Sequence, residues 1–166
     1  MIEKMKTCCF TGHRPQSLPW GYNEHTAECH VLKDRLFLEI QNTIEHGYNH
    51  FIIGMALGID TYVGEILIDL KRIYAGITIE AAIPCLNQAQ KWPTTAKERY
   101  NRILSLCDKN TVISRKYAPL CMQMRNQYMI DQSSLLIAVW NGKPSGTKNT
   151  LMYAKQNNIN VIVIEI

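Results

Sequence analysis

No stretch of this chain stays apolar for more than about six residues, far short of the roughly 20 a membrane-crossing helix needs. The opening "MIEKMKTCCF" lacks an apolar core ahead of a small-residue cleavage site. No secretory leader is therefore expected, and the expected compartment is the cytoplasm. Charge of one sign never accumulates. The 18 Lys and Arg and 14 Asp and Glu leave a net charge of +4, scattered along the sequence. Such scatter offers no basic stripe to a polyanion, which makes nucleic acid an unfavoured partner without excluding it. There is no CxxC pair and no Cys/His spacing suited to zinc, so no metal site is expected. The six cysteines, two of them adjacent at Cys8 and Cys9, read as reduced and mostly core. Repeats, linkers and low-complexity tracts are missing as well, and 166 residues fit one domain.

What is present is an alternation. "TCCFT" (7–11), "HFIIG" (50–54), "ITIEAAIP" (77–84), "NTVIS" (110–114), 134–140 and "NVIVIEI" (160–166) read as six short strands. Between them, apolar residues recur at helical spacing. Cys29 to Ile44, Ile59 to Ile73, Ala96 to Cys107, 119–133 and 146–157 are the expected helices. Buried strands separated by helices make a doubly wound α/β domain, a mainly parallel sheet with helices on both faces. In such sheets ligands bind beyond the carboxyl ends of the strands, where helix N-termini point.

The segments at that edge carry the chemistry. "TGHRP" follows the first strand, with Gly12 permitting close backbone approach and His13 and Arg14 supplying one switchable and one permanent cation. "GMALGID" joins the second strand to its helix through Gly54 and Gly58. Asp60 falls in the first helical turn, where it complements the helix dipole. A carboxylate there repels phosphate, so this turn is expected to meet hydroxyls or a base. "NGKPSGT" (141–147) has no acid, and Lys143 and Lys148 lie close by. Asn141, Gly142, Ser145, Gly146 and Thr147 form a turn whose amides, hydroxyls and helix dipole favour an anion. It is not a Walker A loop, since the threonine precedes the lysine, and the GxGxxG fingerprint is absent. Trp92 is a candidate to stack on a base, and Arg125 and Asn126 to reach a phosphate or sugar. Asp131 ends a helix or accepts a ribose hydroxyl.

In this order, "TGHRP", "GMALGID", Pro84–Gln88–Trp92–Tyr100, "RNQYMID" (125–131) and Ser145-Gly146-Thr147 resemble the YpsA-like family of the SLOG superfamily, over nearly the whole chain. The resemblance implies a Rossmann-like fold and a site for a nucleotide or nucleotide derivative, such as NAD, ADP-ribose or a nucleoside phosphate. Related LOG proteins include phosphoribohydrolases, and DprA-type members bind single-stranded DNA. One departure stands out. LOG enzymes place glutamates just after their glycine-threonine turn, and here Lys148, Asn149 and Thr150 follow Thr147.

The expectation is thus a ligand-binding sensor or regulator without a required cofactor. One rival is an N-glycosidic hydrolase using Asp60, Glu65 or Asp131, and another is a DprA-like single-stranded DNA module. A homo-oligomer is compatible with all three readings.

Overall fold

Six strands and five helices alternate in the computed structural model, which describes residues 1–166. They run β1 (Thr7–Gly12), α1 (Ala27–Glu45), β2 (His50–Ile53), α2 (Ile59–Ile73), β3 (Thr78–Cys85) and α3 (Thr94–Leu106). β4 (Lys109–Ser114), α4 (Cys121–Asp131), β5 (Leu135–Trp140), α5 (Gly146–Gln156) and β6 (Asn160–Glu165) complete the chain. Every strand pairing is parallel, and the order across the sheet is β4-β3-β2-β1-β5-β6. This is the expected α/β, Rossmann-like architecture.

Burial explains which strands read clearly. β1, β2 and β5 lie inside the sheet and are buried almost end to end, so their sequences are near-continuous apolar runs. The edge strands β4 and β6 are exposed or half-buried apart from Ile164 and carry Lys109, Asn110, Asn160 and Glu165, which blunts the edges. α1, α2 and α3 cover one face around a core that includes Leu36, Phe51, Ile59 and Ile103. α4 and α5 cover the other over a much smaller core of Cys9, Ile52, Met129, Leu136 and Leu151. No helix is long and apolar enough to cross a membrane. All six cysteines are free thiols.

Two features aim the loops. The strand order reverses between β1 and β5, which opens a crevice at their C-terminal ends. α5 starts there, capped by Ser145, whose Oγ accepts the Lys148 N–H at 3.3 Å. α2 starts at Gly58, with φ +86°. A Cβ at that position would stand 2.6 Å from the His13 carbonyl oxygen, so the turn brings two backbones into contact that only glycine allows.

Candidate functional site

A cleft of about 410 Å³ occupies this crevice. Thr11, Gly12, His13 and Arg14 from the end of β1 form one wall, and Ala56 and Asp60 from the β2–α2 turn another. Arg125 and Asn126 of α4 close the back, and Ser145, Gly146 and Thr147 supply the N-terminus of α5.

Arg125 dominates the electrostatics. It is 5% exposed, yet no carboxylate stands within ion-pair distance of it. Its Nε donates to Asn126 Oδ1 at 2.7 Å and its Nη1 to the Gly54 carbonyl. A guanidinium has five N–H donors, so donors remain beside the cleft without a protein acceptor. Asp60 is its neighbour across Gly54. A methyl at Gly54 would fall 2.7 Å from Arg125 Nη1 and 2.8 Å from Asp60 Oδ2. Glycine is needed because the guanidinium and the carboxylate fill the space of a side chain.

Burial pushes the Arg125 pKa down, with Asp60 opposing it, but an arginine stays protonated under any such shift. Burial pushes the Asp60 carboxyl up, against Arg125, the Ala56 amide and Arg14, which favour its charged form. Asp60 Oδ2 accepts the Ala56 N–H at 3.1 Å. Its other oxygen has no protein donor.

His13 does something other than carry charge. It is 4% exposed, and its Nε2 accepts the Asn141 N–H at 3.1 Å, which requires an unprotonated Nε2. Burial lowers its pKa, in the same direction as the hydrogen bond that Nε2 accepts. The expected switchable cation is therefore a neutral tie between the β1 and β5 loops. Arg14, by contrast, is exposed, has no ion pair, and overlooks the cleft.

The expected anion turn is shaped for approach. Asn141 Oδ1 accepts the Lys143 N–H, Trp140 Nε1 donates to the Lys143 carbonyl, and Gly142 turns the chain at φ +79°. Asn141 and Gly142 thus build the turn, while Ser145, Gly146 and Thr147 face the cleft. Nothing lies within 4 Å of a Cβ built on Gly146, so space stands open where α5 begins.

A family model described as the YspA SLOG family (YpsA) matches residues 8–165. The chain belongs to this family. Among curated relatives, a UPF0398 protein of Bacillus cereus (strain B4264) is 30% identical over 156 residues, 92% of this chain and 84% of that protein. The SPbeta prophage-derived protein YoqJ of Bacillus subtilis (strain 168) is 37% identical over 139 residues, 75% of this chain and 81% of its own length. Among solved structures, DNA processing protein A (DprA) from Streptococcus pneumoniae superposes with a TM-score of 0.64 at 16% identity. It matches 98% of this chain, which spans about half (51%) of DprA. That likeness is one of fold.

On this SLOG scaffold the remaining expected residues fall elsewhere. Trp92 lines an adjoining cavity of about 310 Å³ with Tyr22, Leu57, Gln88 and Lys91, and its ring packs edge-on against Tyr100 with centroids 5.4 Å apart. Gly54 underlies the cleft, and Gly58 sits behind the β1 loop. Glu65 is held by Arg99 at 2.9 Å, outside the cleft, and Arg99 also grips Glu24. Asp131, at the far end of α4, is exposed and accepts the Tyr153 hydroxyl at 2.9 Å. Of the three candidate carboxylates, Asp60 alone lines the cleft. Sequence reasoning passed over Gln16, Ser17, Met122 and Met129, which also line it. For α4 the signal was there: Cys121, Arg125 and Met129 recur every four residues, one buried stripe with a cation in its middle.

Proposed function

We propose that this SLOG protein binds a phosphate-bearing, nucleotide-type ligand in the β1–β5 cleft and serves as a sensor or regulator in the cytoplasm. One observation carries the reading: the buried Arg125 guanidinium, short of a counter-ion, keeps free donors beside the N-terminus of α5. A buried charge whose nearest carboxylate, Asp60, stands beyond ion-pair distance is costly, and an anionic ligand would relieve that cost. Arg14 and the amides at Gly146 and Thr147 converge on the same space. The free oxygen of Asp60 suits a sugar hydroxyl. Nucleoside phosphates, ADP-ribose and NAD all combine those groups.

A second reading rests on Asp60 itself. A cleft carboxylate whose pKa burial raises has the character of a general acid or base, so N-glycosidic hydrolysis of a nucleotide is the enzymatic alternative. The fold shared with a DNA processing protein supports a DNA-binding alternative, which salt-resistant binding of single-stranded DNA would favour.

A thermal-shift screen over AMP, ADP, ADP-ribose and NAD tests the proposal. Ligand at 100 times its Kd adds about 2.7 kcal/mol of stability. Arg14→Ala removes an exposed cation without touching the fold. Loss of one charge-assisted hydrogen bond, worth about 1.5–3 kcal/mol, weakens binding roughly 10- to 150-fold. An unshifted melting temperature with every compound, or full affinity in Arg14→Ala, would count against the site.

A further inference from the structure

A cavity larger than the cleft lies beside it. It is a groove of about 630 Å³ between α4 and α5. It shares Met122, Asn126 and Gly146 with the cleft, so the two spaces are continuous at the N-terminus of α5. From Gly146 it follows α5 as far as Gln156, roughly 15 Å at 1.5 Å per helical residue.

Its chemistry differs from that of the cleft. None of the residues that line it is charged. Four carboxamides, those of Gln123, Gln127, Asn149 and Gln156, face it with no hydrogen-bond partner in the protein. Each carries two donors and an acceptor on one flat group. Met122, Met152 and Tyr153 add polarizable and aromatic surface, which suits the face of a flat ring.

The geometry points to this groove as the subsite for the nucleobase of the ligand, entered from the phosphate end at Gly146. The inference rests on the reading that a phosphate sits against Arg125 and the start of α5. From there the groove offers a continuous way out of the cationic cleft into an uncharged environment. Carboxamides match the mixed donor and acceptor edge of a base, as Asn and Gln do when they read adenine. The rival cavity around Trp92 holds Lys91 and Arg14, and its tryptophan already packs edge-on against Tyr100. It is the more cationic of the two and the less suited to a neutral ring.

The test compares probes with and without a base. Ribose 5-phosphate, ADP and GDP are titrated calorimetrically into the full chain, into Asn149→Trp, and into the Gln123→Ala/Gln127→Ala pair. Asn149 is exposed and its side chain makes no protein contact through hydrogen bonds, so a tryptophan there narrows the groove from its rim. The expected result is at least a tenfold loss of affinity for ADP or GDP in Asn149→Trp, with ribose 5-phosphate within twofold of the parent. If Asn149→Trp fails to fold by circular dichroism, the Gln123→Ala/Gln127→Ala pair gives the same comparison. Nucleotide affinity that survives both changes but falls in Trp92→Ala puts the base in the other cavity and overturns the inference, while the phosphate reading stands. A parent protein that binds neither ribose 5-phosphate nor either nucleotide removes both together.

Discussion

Replacing Gly58 by alanine isolates the close approach on which the site is built. Two costs add. At φ +86° and ψ −125° the residue occupies a region tolerated essentially by glycine, with strain of about 1–3 kcal/mol for any other residue. The new Cβ would also stand 2.6 Å from the His13 carbonyl oxygen and 3.1 Å from Arg14 Cα and Pro15 Cδ. Those are backbone and ring atoms, so relief requires the β1 loop to shift, and forced overpacking costs about 1–3 kcal/mol. The sum, roughly 2–6 kcal/mol, is a large share of the 5–15 kcal/mol typical of a domain. Gly142→Ala separates the two terms. That residue has φ +79° but nothing within 4 Å of its Cβ, so the left-handed cost of about 1–2 kcal/mol stands alone. Gly146→Ala has neither problem and gains up to about 1 kcal/mol from a less flexible unfolded chain. Urea titration at constant m reads all three. With m near 2 kcal/mol/M, a 4 kcal/mol loss moves the midpoint by about 2 M. Gly58→Ala within 1 kcal/mol of the parent, or no more damaging than Gly142→Ala, would refute the contact between these loops.

Other outcomes follow from the remaining groups. Burial would raise the Glu80 carboxyl, but hydrogen bonds from His50, Thr111 and Tyr128 outweigh it and hold its pKa at about 2. A depressed carboxylate contributes stability that is complete above its unfolded value near 4.3 and lost as pH falls towards about 2. Urea stability should drop through that window in the parent and drop less in Glu80→Gln; equal slopes would show that the network does not carry the acid response. Incubation with AMP should release no free base above a heat-killed control, and many turnovers that vanish in Asp60→Asn would establish the hydrolase instead. Trp140, whose Nε1 donates to Lys143 within the α5 turn, should report a bound nucleotide by a saturable fluorescence change that Trp140→Phe abolishes. A ligand shown to bind by calorimetry that leaves the signal unchanged would move the site away from this turn.

The fold was legible because strand burial writes itself into composition. "CCF", "FII" and "LLIAVW" are apolar where the sheet is covered on both faces, and the expected elements agree with the structure to within a few residues at their ends. The candidate cleft was legible as a set of loops, because a doubly wound sheet places them at one edge. Partnerships inside it were not. Nothing local tells that His13 will accept a backbone N–H from Asn141, or that Arg99 will take Glu24 and Glu65 away from the cleft. These contacts join residues tens of positions apart and exist only once the helices have packed. Glu65 looked available beside Asp60, yet five positions along a helix turns it towards α3 rather than the crevice.

The strand order also sets a schedule. β1 is made first, yet it stays half-paired until β5 emerges, because its second neighbour lies on the far side of the switch. His13 and Asn141, the tie across that gap, are 128 residues apart. At about 5–20 residues per second, a ribosome needs on the order of 6–25 seconds to span that distance. For that interval the buried edge Cys8–Cys9–Phe10 has a free row of backbone groups on one side, which is a template for pairing with another chain. A chain that ends before β5 would keep that template open. The cleft, whose walls come from both sides of that late junction, takes shape at the end of the same wait.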